Sequence, residues 1–243
     1  MTQAKLLEKK GYKIDYLEKS VLEIKNKDEL SQNHDVWIVL SKHSSKANQP
    51  SLTTHSVGNF SKDKPKLGGL PENLGISLAP AQSILLKLLY QYQQENFEYF
   101  SNMNVTFEAT HHGPTIPIPL TFIEMGSNKK IWTSDTIAEA VVWAIDRFLI
   151  IEKIESKPIP IAIGFGGPHY PYKFSSLVLN NEYYIGHILP KYAANNIHEG
   201  IIRQMIERTI PKPTIAVIDK KGIKQKSILK NLLTNFDLEI REI

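Results

Sequence analysis

Apolar residues along the chain fall into two kinds of run. The first kind is short, β-branched and nearly continuous. Asp35-Val-Trp-Ile-Val-Leu-Ser41, Ile159-Pro-Ile-Ala-Ile-Gly-Phe165 and Thr214-Ile-Ala-Val-Ile-Asp219 read as strands buried on both faces, while Asn104-Val-Thr-Phe-Glu-Ala-Thr110 alternates. The second kind has helical spacing. Residues 80–95 are Leu-rich with Pro80 in the first turn. Ser134 stands as an N-cap before Asp135 and Glu139, and apolar residues at 137, 138, 141, 144, 145 and 148 carry that helix to about Ile151. Residues 195–208 place Ile197, Ile201, Ile202, Met205 and Ile206 on one stripe, and residues 223–236 give a last helix before a terminal strand at 238–243.

Strands alternating with helices predict an α/β protein: a three-layer α/β/α domain around a mixed, mostly parallel central sheet. A single α/β domain over residues 1–243 suits the length. Residues 42–80 follow neither period and hold several Ser, Lys, Gly and Pro, so they read as one long functional loop, which contains His43 and His55.

Composition narrows the chemistry. The 243 residues include eight His and no Cys. A disulfide scaffold, a Cys nucleophile and thiolate zinc fingers are therefore excluded, and any metal must rest on imidazole and carboxylate. A hydrophobic fraction of 42% with 22% charge is that of a folded globular chain. The formal net charge of +4 suits a polyanionic partner without identifying one. The first ten residues carry no apolar signal region, and no run of some 18 apolar residues occurs. The default reading is a soluble cytoplasmic protein with no membrane partner.

Six of the His residues fall at or just after expected strand ends: His43, His55, His111, His112, His169 and His187. In an open α/β sheet, ligands bind in the crevice beyond the carboxyl ends of strands, so these loops are expected to converge on one pocket. A lone loop His is most often a surface or capping residue, and His34 and His198 are read that way. Glu108-Ala-Thr-His-His-Gly-Pro-Thr115 is the most informative segment. Strand alternation points Glu108 and Thr110 to one side, toward space that the following His pair can line. Such groups hold Zn²⁺, or act without metal as a general acid–base pair. The spacing is not HExxH on a helix.

Gly164-Phe-Gly-Gly-Pro-His169 lacks both the GxGxxG and the GxxxxGK[ST] spacing, which excludes a dinucleotide or P-loop fingerprint. Its glycines permit close backbone approach to a ligand, or present amide N–H groups to an oxyanion. Ser44 and Ser45 flank His43 without a GxSxG elbow, so a Ser nucleophile is not favoured. Thr115 is placed to bind substrate. Lys220, Lys221, Lys224, Lys226 and Lys230 cluster after strand 214–219, and Lys62, Lys64, Lys66, Lys42 and Lys46 lie near the His-bearing loops. A lysine cluster is usually a solvated face, and it is also what contact with a phosphate backbone requires.

Taken in order, Ser41-Lys-His-Ser-Ser45, Leu52-Thr-Thr-His-Ser-Val-Gly-Asn59, Glu108-Ala-Thr-His-His-Gly-Pro-Thr115, Gly164-Phe-Gly-Gly-Pro-His-Tyr170 and Gly186-His-Ile-Leu-Pro190 resemble the archaeal and plant type of D-aminoacyl-tRNA deacylase over roughly residues 35–225. The His-His-Gly-Pro-Thr and Gly-Gly-Pro-His elements together are specific. One departure is that family members open with a β-strand, whereas this chain starts almost at a helix. The resemblance implies a fold related to peptidyl-tRNA hydrolases and nucleoside phosphorylases, a zinc cofactor, a monomer, and chiral proofreading by hydrolysis of the ester between a D-amino acid and tRNA. Glu108, His111, His112 and His169 are the expected catalytic residues. Thr115, Gly166, Gly167, Lys220, Lys221 and Lys224 are the expected substrate-binding residues, and His43, His55, His111 and His112 the expected metal ligands. DNA is not an expected partner. Two other classes stay open: a tRNA-binding module without catalysis, and a hydrolase or phosphorylase acting on a small molecule.

Overall fold

Side chains alternate across a strand, so each strand must find cover for two faces. The computed structural model describes residues 2–17, 20–24, 35–44, 48–151 and 158–243. His34, Ser45 and Lys46 lie outside the described residues. The elements in order are α1 (Thr2–Lys9), β1 (Trp37–Ser44), β2 (Ser51–His55), β3 (Gly58–Asn59), β4 (Asn73–Leu74), β5 (Ser77–Leu78), α2 (Ala79–Glu95), α3 (Phe97–Phe100), β6 (Asn104–Phe107), β7 (Leu120–Ser127), α4 (Lys129–Trp132) and α5 (Asp135–Ile150). They continue with β8 (Ile161–Phe165), α6 (Tyr172–Leu179), β9 (Tyr184–Leu189), α7 (Glu199–Glu207), β10 (Thr209–Ile210), β11 (Ile215–Ile218), α8 (Lys226–Leu233) and β12 (Glu239–Glu242).

Two four-stranded sheets run in the orders β1-β7-β2-β6 and β12-β11-β8-β9. Within them only β7 and β2 pair antiparallel; the other pairs are parallel. The two sheets meet where Thr110 N–H donates to the Ile188 carbonyl at 3.0 Å and Ile188 N–H donates to Thr110 Oγ1 at 3.0 Å. This is the mixed, mostly parallel arrangement expected. Leu52, Ile123 and Met125 from the first sheet pack under Leu7 of α1, Ile84, Leu85, Leu88 and Leu89 of α2, and Val141 and Ile145 of α5. In the second sheet, Ile163, Phe165, Ala216 and Ile218 pack under α7 and α8. Ala162, Ile185 and Val217 pack under α6. Helices thus cover both faces of the second sheet, and the layers are α/β/α. Ser134 caps α5 as expected, its Oγ accepting from Ile137 N–H at 3.3 Å.

The stretch 42–80 is not one loop. It contains the end of β1 and all of β2, which lies between β7 and β6 inside the first sheet. Every residue of β2 is buried, yet four of its five side chains are polar, so burial leaves no apolar pattern to read. Strands β7 and β9 and helix α6 were likewise absent from the pattern-based expectation. His187 sits inside β9 rather than in a loop. It is fully buried, with Nε2 3.1 Å from the Gly75 carbonyl and Nδ1 3.3 Å from Thr110 Oγ1. Its contacts are those of a structural histidine. His198 caps α7, its Nδ1 accepting from Gly200 N–H at 3.1 Å, and it pairs with Glu72 at 2.9 Å.

Candidate active site

The first sheet has one apolar face and one face that changes character along its length. Leu52, Ile123 and Met125 point into the helical core. On the other face, Trp37 and Val39 of β1 and Leu120 and Phe122 of β7 join a small apolar cluster with Val57, Ile116 and Ile118. Continuing at alternate positions, that face then carries His43 on β1, Glu124 on β7 and Thr53 and His55 on β2. Glu108 follows β6, Glu108 N–H being held by the Thr54 carbonyl at 3.1 Å. Strand alternation therefore collects one hydroxyl, two carboxylates and two imidazoles beside an apolar floor. His111, His112 and His169 reach the same place from loops.

The site is not simply a crevice at strand carboxyl ends. Strands β1 and β7 run opposite to β2, so His43 and His55 arrive from opposite directions, with Glu124 at the level between them, beside Thr53. Glu124 was not singled out from the sequence. Its one signal was an acid within the apolar run Leu120–Met125, where a buried carboxylate requires partners.

Glu108 is the hub. Its Oε1 accepts from Thr53 Oγ1 at 2.6 Å and lies 3.1 Å from His43 Nδ1. Its Oε2 lies 2.8 Å from His169 Nε2 and 3.4 Å from His111 Nε2. His43 Nδ1 also lies 3.3 Å from Glu124 Oε2, and its Nε2 is 2.7 Å from the Tyr170 hydroxyl. The Trp132 indole N–H donates to the His43 carbonyl at 2.9 Å, which fixes the backbone there.

His55, His111 and His112 form a second group, with ring centroids 4.3–4.9 Å apart. In each, Nδ1 faces a backbone carbonyl: Ser56 at 3.1 Å, Ala109 at 2.9 Å and Gly113 at 2.6 Å. A proton on Nδ1 satisfies each carbonyl and leaves an Nε2 lone pair free, the arrangement that second-shell carbonyls impose on metal-binding imidazoles. His112 has φ of 43°, in the left-handed region, where a side chain costs about 1–2 kcal/mol and which concentrates at functional sites.

The charges follow from this packing. Burial pushes the Glu108 carboxyl up, but His169 and His43 more than reverse this and hold it well below the usual range. Glu124 is also opposed by burial, yet His43 and His55 bring it down to about 2. Burial disfavours charge on His43, but Glu108 and Glu124 raise its pKa to about 10, so it is an imidazolium bridging two carboxylates. At His55 burial again opposes charge, and Glu124 and Glu108 outweigh it, raising the pKa. His111 is driven well below its ordinary value by burial and then by His55 and His112. His112 falls to about 4, by burial first and His55 second. Two carboxylates thus demand positive charge at the His55 end, from a proton or from a metal.

The residues fit a metal. His55, His111 and His112 bring ligand atoms within 4.8 Å of one another, and so do His43, Glu108 and His169, and His55, Glu108 and Glu124. Buried His55 Nε2 has no hydrogen-bond partner, the nearest Glu124 oxygen lying 3.9 Å away. Leaving such an atom unmet costs about 1–3 kcal/mol, and a cation meets it. Of the four expected ligands, three fall together, while His43 joins the group around Glu108.

The remaining expected residues lie nearby in different roles. Gly166 and Gly167, with φ of 105° and 82°, make the turn after β8. Gly166 N–H donates to the Leu189 carbonyl at 2.7 Å and Gly167 N–H to the Gly222 carbonyl at 3.2 Å. Both amides are spent inside the fold, so the expected oxyanion donors are not on offer, and the glycines serve close backbone packing. Thr115 Oγ1 accepts from Leu70 N–H at 3.1 Å and pins the 67–70 loop to the segment after His112. Lys220, Lys221 and Lys224 are exposed on the segment after β11 that contacts the 166–169 turn through Gly222, although Lys220 also lies 3.7 Å from Glu242.

A layered α/β domain with a buried imidazole–carboxylate cluster on its sheet has the build of a hydrolytic enzyme. The family model described as D-aminoacyl-tRNA deacylase matches residues 30–241, and the chain belongs to that family. It is similar to the D-aminoacyl-tRNA deacylase of Saccharolobus solfataricus, 35% identical over 240 residues covering 97% of this chain and 93% of the relative. It is also similar to those of Ignicoccus hospitalis, 36% identical over 85% of this chain and 80% of the relative, and Methanocaldococcus jannaschii, 38% identical over 78% and 74%. A crystal structure described only as a conserved protein of unknown function superposes with a TM-score of 0.82 at 23% identity, covering 92% of this chain and 78% of that one, and supports the fold.

Proposed function

We propose that this chain, acting as one α/β domain, hydrolyses the ester joining a D-amino acid to the 3′ end of tRNA and releases both. The observation that carries the reading is the convergence of three carbonyl-anchored imidazoles with Glu108 and Glu124 in one buried place. His55, His111 and His112 are the residues that would hold zinc, with Glu124 or Glu108 completing the set. When bound, zinc supplies a Lewis acid and a water that ionises near neutral pH.

The chain's own groups divide the rest of the work. Glu108 stays a carboxylate and accepts the Nε2 proton of His169, which leaves His169 Nδ1 as a base at the partly open mouth of the site. His169 takes a proton from the attacking water as the water oxygen bonds to the acyl carbon. It returns that proton to the ribose oxygen as the ester C–O bond breaks. His43, charged and tied to Tyr170, keeps Glu108 and Glu124 from repelling each other. Exposed Lys221 and Lys224 meet the tRNA phosphates. No helix among the described residues is long and apolar enough to cross a membrane.

The test is hydrolysis of D-Tyr-tRNA and L-Tyr-tRNA with and without chelator. The D form should be cleaved and the L form spared, with activity lost to chelator and restored by zinc. Binding of D-Tyr-tRNA without turnover would instead identify a non-catalytic tRNA-binding module. Equal cleavage of free D-tyrosyl esters would indicate a small-molecule hydrolase.

A further inference from the structure

The mechanism uses the buried cluster and leaves its rim unexplained. The turns after β8 and β9 place Tyr170 and Tyr192 against His169, and Tyr172, at the start of α6, lies one ring further out beside Tyr170. Tyr170 packs against the His169 ring at 5.4 Å and is 6.3 Å from Tyr172. Tyr192 brings its hydroxyl within 3.5 Å of His169 Nδ1. Tyr172 is 49% exposed and Tyr192 61% exposed. Beside Tyr192, exposed Lys191 has no carboxylate partner among the described residues, and its backbone N–H is fixed to the Gly167 carbonyl at 2.9 Å. A large aromatic left in water next to a catalytic base, with a free cation alongside, forms a surface of definite chemistry.

We infer that Tyr192 is a stacking shelf for the terminal adenine of the substrate, and that Lys191 meets that nucleotide's 5′-phosphate. This rests on the reaction proposed above. The scissile ester hangs on the ribose of an unpaired nucleotide, so the base of that nucleotide must lie a few ångströms from the group that attacks the ester. Unpaired bases are held by aromatic faces and nearby cations without sequence readout. The Tyr192 side chain reaches His169 Nδ1, so a base on its ring lies one ribose away from the reacting carbon. Tyr192 thereby acts on substrate binding, while the chemistry stays with Glu108 and His169.

The test pairs kinetics with binding. Tyr192→Ala should raise KM for D-Tyr-tRNA about 5- to 160-fold, the range for one lost base–aromatic stack, with kcat within about threefold. Tyr192→Phe should keep the wild-type KM, since stacking needs the ring and not the hydroxyl. Wild type should bind AMP at least about tenfold more tightly than ribose 5-phosphate, and Tyr192→Ala should erase that difference. A fall in kcat with KM unchanged, failure of Tyr192→Phe to retain KM, or equal binding of AMP and ribose 5-phosphate by wild type would each overturn the inference. The AMP arm needs no turnover, so failure of the proposed reaction is read separately, from wild-type hydrolysis.

Discussion

Replacing Glu108 by Gln keeps the shape of the hub and changes two things. The amide oxygen can still accept from Thr53 Oγ1 and face His43 Nδ1, the contacts that Oε1 makes at 2.6 Å and 3.1 Å. The amide nitrogen then takes the place of Oε2, 2.8 Å from His169 Nε2. An NH₂ group cannot accept the Nε2 proton. His169 must move its proton to Nδ1, the nitrogen assigned as base, and the base is lost. Wrong-tautomer substitution in a carboxylate–histidine pair lowers kcat on the order of 10⁴-fold. The charge change adds to this. One negative charge about 3–4 Å from His43 is worth about 4 kcal/mol at an effective dielectric near 20, so the imidazolium loses much of its support. Glu108→Gln should therefore cut kcat for D-Tyr-tRNA by about 10³- to 10⁴-fold, leave KM within about threefold, and lower the melting temperature by roughly 10 °C while the protein stays folded at the assay temperature. Single-turnover hydrolysis and thermal unfolding, measured side by side, check this. A kcat within tenfold of wild type, with the fold intact, would refute the role given to the Glu108–His169 pair.

His187 makes stability depend on pH without touching the site. Burial drives its pKa from 6.5 to about 4, against the pull of the Gly75 carbonyl. Because the unfolded chain takes up this proton first, the stability is present above pH 6.5 and is lost as pH falls toward 4. The limit is about 3 kcal/mol. Denaturant unfolding between pH 7 and 4 should show a flatter pH profile for His187→Gln than for wild type, and parallel profiles would contradict the assignment. The lysines after β11 should act on affinity alone. Lys221→Glu with Lys224→Glu should lower the slope of log K against log salt by about 0.7–0.9 for each phosphate contact removed. Lys220→Glu should do less, since Glu242 already engages that side chain. Unchanged tRNA affinity at low salt in the double variant would move the tRNA face elsewhere.

Which parts of this protein were legible in its sequence follows from what each strand does. Residues 37–41, 161–165 and 215–218 were read because apolar and β-branched side chains dominate them, and in the last two the burial is apolar packing. β2 was missed for the opposite reason. Its Ser51, Thr53, Thr54 and His55 are all buried, but by hydrogen bonds such as Thr53 to Glu108 and Thr54 to the Gln82 carbonyl at 3.0 Å, and polar burial has no periodic signature. The histidine positions stood out since they cluster near Gly, Pro and Ser, yet the direction of β1 against β2 was invisible, and with it the place of Glu124 between His43 and His55. A glycine turn after a strand suggested oxyanion donors, while only the partners of Gly166 and Gly167 could show that their N–H groups were already spent. The same substitution of polar for apolar residues on one sheet face hides the strand from a hydrophobic pattern and builds the reactive cluster. In a sheet of this kind the strand hardest to read is therefore where a catalytic group should be sought, and a lone acid such as Glu124 inside an apolar run is the mark to look for.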